Sequence, residues 1–315
     1  MKKGLINKFG LLIMLCLCGC KNNSSLINSS TEETSRVISE SSSEQNFSSK
    51  AKVIVLAGQS NASGNAWIKE MNNHYSQDKI DEYMLGYDSV LINYNCENGC
   101  NKSFNEFIPT CLGQGSELYK FGPEVGMAEK ISEAYPEELV YVIKFAIGGT
   151  NLHSQWNSPS SGITPGYCYR LFIPFVREAL EKLKDEGVDP EIKALCWMQG
   201  ESDADSDKAS LYYDRLSSFV GDFREEFKDY ASEKGIGFID AGISDCFAWA
   251  LNKEINASKK KFADESEINE YIDTQSMQLE YNKEPYGNVD IYHYDSDAMI
   301  ELGHAFGDIL LNKFM

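Results

Sequence analysis

A serine, a histidine and an aspartate in this sequence have the types and spacing needed for nucleophilic acyl transfer. Ser60 follows an apolar run that ends at Gly58, where a strand is expected to turn into a helix. Backbone N–H groups and the helix dipole favour developing negative charge at such a turn. Asp290 precedes His293 by three residues, so its carboxylate can accept the ring Nδ1–H and leave Nε2 to take the serine proton. These residues predict Ser60 as nucleophile, His293 as base and Asp290 as the group that orients the base.

Each of these residues also has an ordinary structural explanation. A serine at a strand-to-helix turn is commonly a helix N-cap, and a lone histidine is most often structural. Asp290, His293, Asp295 and Asp297 also have the side chains of metal ligands, although hydrolysis through a serine needs no metal. The presence of Asp290 and His293 in one turn favours catalysis over these alternatives.

Donors for the negative charge of acyl transfer are also present. Gly149 has no Cβ, so its N–H can approach a substrate oxygen, and the Gln199 amide offers a side-chain donor. Losing one such donor typically lowers the rate roughly 100- to 1000-fold. We therefore expect both residues to contribute to an oxyanion hole.

The strands that must position these residues are indicated by five short, nearly continuous apolar runs in the sequence. Such runs are typical of strands buried on both faces of a parallel sheet, and they alternate here with helical patterns. The sequence therefore predicts an α/β protein, a doubly wound sandwich around a five-stranded parallel sheet. Residues 245–288 are mixed and polar and predict an irregular excursion with a short helix around Lys259 to Phe262. The predicted strands are 52–58, 89–95, 138–149, 192–200 and 235–243.

Polar clusters follow three of these runs at the point where each strand is predicted to end. They are residues 58–61, 148–150 and 199–203, and a fourth cluster, 290–293, precedes the last helical pattern. Ligands collect at the carboxyl ends of strands in an open parallel sheet. We therefore expect the four clusters to meet at one rim of the sheet.

Five segments resemble, in this order, the SGNH/GDSL hydrolase superfamily and more narrowly its sialate O-acetylesterase-like group, which includes carbohydrate esterase family six. The resemblance covers residues 52 to about 310 and implies a flavodoxin-like three-layer αβα fold. It implies no metal and no organic cofactor. The segments are VIVLAGQSNASG, FGPEVGMA, FAIGGTNLHSQW, LCWMQGESDA and DIYHYDSDAMIELG.

The resemblance also implies roles for individual residues. It assigns Ser60, His293 and Asp290 to a catalytic triad, and it forms the oxyanion hole from the N–H groups of Ser60 and Gly149 and the side chain of Gln199.

Other residues near these motifs have less definite roles. Glu201 supports either the histidine, in place of Asp290, or the nearby loops, and Asn61 and Gly148 are further candidates for support of the site. Trp156 either stacks on a sugar ring or packs in the core.

The N-terminal residues predict export and lipid anchoring. Residues 1–19 combine three lysines with an apolar run too short to span a membrane, which is typical of a signal peptide. The segment LCGC resembles a bacterial lipobox and predicts lipidation of Cys20, with an ordinary secretory signal as the alternative. Residues 20–50 are rich in serine and asparagine and predict a disordered tether to an esterase domain of residues 51–315. We expect an extracellular protein anchored to a bacterial membrane by lipid alone.

Charge and cysteine content restrict the environment and the partners. The formal net charge of -19 disfavours nucleic acid as a partner. Because export permits disulfides, we expect bridges among Cys96, Cys100 and Cys111, with Cys168 as a further candidate.

The leading functional hypothesis is a carbohydrate O-acetylesterase that acts on acetylated sialic acid or acetylated xylan through an acyl-enzyme. Two alternatives stay open. One is a non-catalytic glycan-binding lipoprotein, and the other is an SGNH esterase that acts on lipids or other small esters.

Overall fold

The computed structural model describes residues 50–281 and 284–315, and each of the five apolar runs forms a strand in it. The proposed signal peptide, Cys20 and the tether up to residue 49 lie outside the described residues. The strands are β1 (Ala51–Gly58), β2 (Ala66–Trp67), β3 (Tyr87–Cys96), β4 (Asn101–Lys102), β5 (Ile108–Thr110), β6 (Lys120–Phe121), β7 (Val140–Ala146), β8 (Pro190–Met198), β9 (Gly237–Ala241) and β10 (Asn269–Ile272). The helices are α1 (Ser60–Ser63), α2 (Gln77–Leu85), α3 (Glu124–Ala134), α4 (Tyr167–Asp185), α5 (Tyr212–Glu226), α6 (Asn252–Ala263) and α7 (Ser296–Ile309). None of the helices in the described part of the chain is both long and apolar enough to cross a bilayer.

The main sheet has eight strands, so the predicted number of five is too small. Six parallel strands lie in the order β10-β9-β8-β1-β7-β3, and β4 and β5 pair antiparallel with β3. The sixth parallel strand, β10, has four residues of which only two are buried, so it lacks the apolar run that marks the others. It lies in the stretch 245–288, which the sequence predicts as an irregular excursion with one short helix around residues 259–262. That helix forms as α6 and is longer than predicted, whereas the strand β10 is not predicted.

The position of β1 determines where a ligand can bind. It lies between β7 and β8. If only the six parallel strands are numbered along the chain, their order in the sheet is 2-3-1-4-5-6, whereas the order in flavodoxin is 2-1-3-4-5. From β1 the sheet continues through β7 to β3 on one side and through β8 to β9 on the other. Such a reversal opens a crevice at the carboxyl ends of the central strands.

Helices cover both faces of the sheet, which confirms the predicted three-layer sandwich. Lys144 of β7 pairs with Glu124 at the start of α3, whereas the ring of the next residue, Phe145, contacts Phe172 of α4. Neighbouring residues of a strand point to opposite faces, so α3 and α4 lie on opposite sides.

The other helices join one of these two layers. Glu129 of α3 accepts hydrogen bonds from Tyr83 of α2, at 2.6 Å, and interacts with His304 of α7, at 2.7 Å. On the opposite face α5 packs its aromatic residues on α4, and α6 packs on α5 and β9.

The six cysteines of the described residues are all free thiols, so the predicted disulfides are absent and that prediction is wrong. Cys96 is the last residue of β3, and its buried Sγ faces the carbonyl oxygens of Ser63 and Gln114. Cys100 follows a tight turn and is exposed. Proximity in sequence therefore does not bring these two sulfur atoms together.

Helices α3 and α7 cross closely because glycines occupy their contact. A Cβ atom added at Gly303 would lie 2.3 Å from the Pro123 carbonyl oxygen, and one added at Gly126 would lie 2.2 Å from the Ile300 carbonyl oxygen. Because backbone atoms surround both positions, only a shift of one helix would make room for a side chain.

We expect Gly303→Ala to lower the free energy of unfolding by about 1–3 kcal/mol, because it overpacks this crossing. Chemical denaturation measures the change. Gly221 of α5 is the matched control, since it is exposed and a Cβ there meets no atom within 4 Å. Gly221→Ala should stabilise the protein by about 0.5–1 kcal/mol, because alanine is the better helix former. Equal effects of the two substitutions would contradict the close crossing.

Candidate active site

The polar clusters predicted to meet at one rim of the sheet do meet at the carboxyl ends of β1, β7 and β8. Ser60, Gly149 and His293 line one open cavity of about 660 Å³ there. A second cavity, of about 750 Å³, lies near Lys50 and Glu191 at the opposite ends of the strands and contains none of these residues. The cavity lined by Ser60, Gly149 and His293 is therefore the candidate active site.

Ser60 is the first residue of α1 and follows β1 after a single residue, Gln59. The cap position belongs to Gln59, and the Ser60 hydroxyl makes no hydrogen bond to any described residue, so the N-cap alternative does not hold. Gly58 permits the sharp turn, because its φ is 147° and a Cβ there would lie 1.9 Å from the Met198 carbonyl oxygen. The half-buried Ser60 side chain thus enters the cavity with its hydroxyl unengaged.

His293 is oriented by Asp290, as the spacing predicts. The ring Nδ1 lies 2.5 Å from Asp290 Oδ2, and Asp290 Oδ1 accepts the backbone N–H of Tyr292 at 3.0 Å. Burial alone would raise the pKa of Asp290, but the hydrogen bond and charge of His293 outweigh it and lower the pKa below its usual value. Because Asp290 occupies Nδ1, the ring nitrogen left for other chemistry is Nε2. No direct hydrogen bond joins His293 to Ser60 within residues 50–281 and 284–315.

Glu201 supports the site through Asn61 and makes no hydrogen bond to the histidine. Asn61 Nδ2 donates to Glu201 Oε1 at 2.8 Å, and Asn61 Oδ1 accepts the backbone N–H of Tyr294 at 3.2 Å. Glu201 is almost fully buried, and its other oxygen has no hydrogen-bond partner among the described residues. Burial raises the pKa of this carboxyl. Of the two acids proposed for the support of His293, Asp290 is the one in contact.

Gln199 lies beside the cavity and does not line it, which corrects the oxyanion role predicted for its side chain. The amide Nε2 donates to Asp203 Oδ2 at 2.6 Å, to the Thr150 carbonyl at 3.0 Å and to Gln59 Oε1 at 3.2 Å. The residue is fully buried and its donor group is engaged. A resemblance in sequence does not show which other groups hydrogen-bond to a side chain. The sequence therefore could not show that the Gln199 amide connects the loops after β1, β7 and β8.

The two glycines after β7 have different surroundings. Gly149 has a φ of 67°, lines the cavity and leaves the space around a Cβ position open. The N–H of Gly148 donates to both carboxylate oxygens of Glu97, at 3.1 Å each. Glu97 also lines the cavity, and its sequence context did not predict it. Its loop carries no recognisable motif, although Glu97 and Asn98 both have positive φ angles.

Trp156 belongs to the core, so the packing alternative is correct and the predicted stacking on a sugar is wrong. It is fully buried, its Nε1 donates to Thr150 Oγ1 at 2.8 Å, and its ring packs at 90° on that of Trp197. The aromatic residues that line the cavity are Trp249 and Tyr292, whose ring centroids lie 5.5 Å apart. Trp249 comes from the polar stretch after β9, where no sequence signal marks it.

One group in the described residues has side chains that could ligate a metal ion. Candidate ligand atoms of His74, Glu284 and Asp295 lie within 4.8 Å of one another, near the start of α7. Asp295 caps α7 by accepting the N–H of Ala298, and Glu284 accepts both the N–H and the hydroxyl of Ser296. These structural roles explain both carboxylates, and none of the three residues lines the cavity.

The raised pKa of Glu201 predicts how stability varies with pH. The Glu201 carboxyl keeps its proton to higher pH in the folded state than in the unfolded state. The stability that the protonated carboxyl contributes is therefore fully present below the ordinary pKa of 4.5 and is lost as the pH rises above it. Glu201→Gln removes the titration and keeps an oxygen for Asn61. Between about pH 5 and pH 8, the free energy of unfolding should therefore fall less in this variant than in the wild type. Urea denaturation at a series of pH values measures the difference.

Glu178 offers a matched control, because it is an exposed glutamate on α4. Glu178→Gln should keep the pH dependence of the wild type. A Glu201→Gln variant whose stability varies with pH as the wild type does would contradict the assignment.

Comparison with known proteins gives the family of this chain. Residues 50–312 match the family model described as "Carbohydrate esterase, sialic acid-specific acetylesterase". No curated protein is detectably similar in sequence.

Solved structures share the fold at low sequence identity. A protein from Arabidopsis thaliana has a TM-score of 0.61 and 17% identity, with 85% of this chain and 100% of that chain covered. NanS has a TM-score of 0.60 and 14% identity over 83% of this chain and 97% of its own. A carbohydrate acetylesterase from Xanthomonas citri has a TM-score of 0.51 and 13% identity over 84% of this chain and 56% of its own.

The family match covers most of the chain, including all four polar clusters, and it confirms the resemblance to the sialate O-acetylesterase-like group. This chain therefore belongs to the carbohydrate esterase family of sialic acid-specific acetylesterases, and it is a carboxylic ester hydrolase.

Proposed function

We propose that this protein is a carbohydrate O-acetylesterase that works through an acyl-enzyme on Ser60. The observation that supports the proposal is that the two nitrogen atoms of the His293 ring have different surroundings. Its Nδ1 is held by Asp290 at 2.5 Å, while the ring lines the same cavity as the Ser60 hydroxyl, which has no hydrogen-bond partner among the described residues. Nε2 is then available as the proton acceptor that a serine nucleophile needs.

In the first half of the proposed reaction, Nε2 of His293 takes the Ser60 proton while Oγ attacks the acetyl carbonyl carbon. The carbonyl oxygen becomes an oxyanion. When the tetrahedral intermediate collapses, the bond to the sugar oxygen breaks, and the imidazolium returns the proton to the leaving alcohol. Nε2 then takes a proton from water while the water oxygen attacks the acetyl carbon. The bond to Ser60 Oγ breaks, the imidazolium returns the proton to Oγ, and acetate leaves.

The oxyanion is stabilised by backbone donors in this proposal. The N–H groups of Ser60, at the first turn of α1, and of Gly149, which lines the cavity, are the donors that remain of the predicted oxyanion hole. The Gly148 N–H is occupied by Glu97. Gln59 and Gln199 act as positioning residues, because their buried amides hydrogen-bond each other at 3.2 Å between the strand ends.

The composition of the cavity wall favours a carbohydrate over a lipid ester. A long acyl chain needs aliphatic contacts, but the lining residues include no leucine, isoleucine, valine or methionine among those that the structure describes. Hydroxyl, amide and carboxylate groups line it instead, together with Trp249 and Tyr292. An esterase for long-chain lipids is therefore the weaker candidate.

We also propose that the enzyme acts outside the cell as a lipoprotein, with residues 1–19 as signal peptide and Cys20 as the lipidated residue. More than one acyl chain is needed for stable anchoring, because a single chain binds a membrane reversibly. Mass spectrometry of the mature N-terminal peptide tests this part of the proposal, and an unmodified cysteine would overturn it.

Ser60→Ala should lower the rate of acetate release from acetylated xylan or another acetylated glycan by at least about 1000-fold. The thermal midpoint should stay near that of the wild type, because the Ser60 hydroxyl makes no hydrogen bond to the described residues. Ser76 provides the control, since it is a true N-cap whose side chain accepts the Lys79 N–H of α2. Ser76→Ala should cost about 1 kcal/mol of stability and leave the rate unchanged. Acetate release by Ser60→Ala at the wild-type rate would exclude the mechanism.

Asp290→Asn tests the orientation of the base. The amide cannot hold the ring in the tautomer that leaves Nε2 unprotonated, so kcat should fall by about 10,000-fold, as in other serine hydrolases. If Asp290→Asn retains wild-type kcat, another group must orient the histidine.

A further inference from the structure

We propose that Glu97 is a positioning residue for the oxyanion hole. Its carboxylate accepts the Gly148 N–H and so fixes the short backbone segment that presents the Gly149 N–H to the oxyanion. This inference rests on the proposed esterase function and adds to it a residue outside the catalytic triad. It follows from the way in which the loop after β7 is held in place.

The strand register places Glu97 next to the loop that carries the two glycines. Strands β3 and β7 are parallel neighbours, and the last residue of β3, Cys96, is paired with the last residue of β7, Ala146. Glu97 and Ile147 therefore begin two loops that leave the same edge of the sheet side by side. Both carboxylate oxygens of Glu97 lie 3.1 Å from the Gly148 nitrogen. This contact thus connects the carboxyl ends of two adjacent strands.

The Gly148–Gly149 segment has no side chains, so hydrogen bonds must fix its conformation. Glycine can adopt more backbone conformations than any other residue. Gly149 has a φ of 67°, and a Cβ position there has no described atom within 4 Å apart from those of its chain neighbours. Packing therefore contributes little to the position of the Gly149 N–H, and the hydrogen bonds of the flanking backbone determine it.

Hydrogen bonds hold this loop on both sides of the two glycines. The Ile147 N–H donates to a carbonyl of β1 at 3.2 Å, and the Ile147 carbonyl accepts the Thr150 hydroxyl at 2.6 Å. The Thr150 carbonyl accepts the Gln199 amide at 3.0 Å. Between these bonds, Glu97 is the acceptor of the Gly148 N–H, and residues 50–281 and 284–315 offer no second one. Removing the carboxylate would therefore release the middle of the loop.

The position of this loop matters because it adjoins the proposed nucleophile. A Cβ atom added at Gly148 would lie 3.5 Å from Ser60 Cβ. The N–H groups of Ser60 and Gly149 donate to no other group in the described part of the chain, so both are available to a substrate oxygen. A displacement of about 1 Å in a group that acts on the reacting atoms can lower a rate about 100-fold.

The backbone of Glu97 indicates that its position is specifically maintained. Glu97 and Asn98 have φ angles of 51° and 54°, in the left-handed region that is costly for residues other than glycine. Such conformations persist where the surroundings hold them, and they cluster at functional sites. Here the pairing of Cys96 with Asn101 of β4 closes a tight hairpin around the two residues, and Cys96 is fully buried. The hairpin thus holds the Glu97 carboxylate against the Gly148 N–H.

The proposed role requires the acceptor oxygen of Glu97 and not its charge. A negative charge in the same cavity as Ser60 opposes the formation of an oxyanion. The oxygen of a glutamine amide can accept the same N–H without this charge. A shorter aspartate keeps the charge but does not reach as far. The comparison of glutamine with aspartate at this position therefore separates positioning from an effect of charge.

Hydrolysis of phenyl acetate, an uncharged ester, measures the effect of Glu97. Glu97→Ala should lower kcat by about 10- to 100-fold and change KM by less than about threefold, because the oxyanion donor acts mainly in the transition state. Glu97→Asp should show a similar loss of kcat. Glu97→Gln should keep kcat at no less than about a third of the wild-type value, because the acceptor is retained. Glu178→Ala, at an exposed position on α4, is the control and should leave both constants unchanged.

The same assay separates this inference from the proposed function. Ser60→Ala hydrolysing phenyl acetate at the wild-type rate would exclude the proposed function itself. If hydrolysis requires Ser60 but Glu97→Ala has the wild-type kcat or a higher one, only the role of Glu97 is excluded. Equal losses in Glu97→Gln and Glu97→Asp would also overturn that role. If Glu97→Ala does not fold, as judged by circular dichroism, the comparison of the glutamine and aspartate variants gives the same test.

Discussion

The site depends on one buried side chain, that of Asn61, which follows the proposed nucleophile directly. Its amide donates to Glu201 in the turn after β8 and accepts from Tyr294 in the segment that carries His293. Residues about 230 positions apart along the chain are thereby connected next to Ser60. An unsatisfied amide at this depth would cost about 1–3 kcal/mol, so the arrangement is strongly preferred over any in which the segments separate.

A second set of buried polar groups holds the other loops of the site in the same way. Asp203 accepts the N–H groups of Leu152 and His153 and the amide of Gln199, which ties the loop after β7 to the turn after β8. These groups are costly to bury, since burial raises the pKa values of both Asp203 and Glu201. Their hydrogen bonds connect the loops that carry Gly149 and Ser60.

The fold was largely predictable because its strands are buried on both faces and therefore appear as apolar runs. The rule that parallel strands present ligands at their carboxyl ends predicts the positions of Ser60 and Gly149, whereas Asp290 and His293 follow no strand and are recognisable by their residue types and spacing. The surroundings of Gln199 and Trp156 could not be predicted, because each lies within a recognisable motif while its partners, Asp203 and Thr150, are known only from the packing. Glu97 and Trp249 reach the cavity from segments without regular patterning, so only three-dimensional contacts could reveal them.

The proposed reaction depends on activation of the Ser60 hydroxyl by His293 across the shared cavity. The most direct measurement is covalent trapping of the folded protein by a serine-directed fluorophosphonate, followed by mass spectrometry of its peptides. We expect a single adduct on the peptide that contains Ser60, and labelling about 100-fold slower in His293→Ala, because general-base assistance is typically worth that much. An adduct on a different residue, or equally fast labelling of the His293→Ala variant, would contradict it.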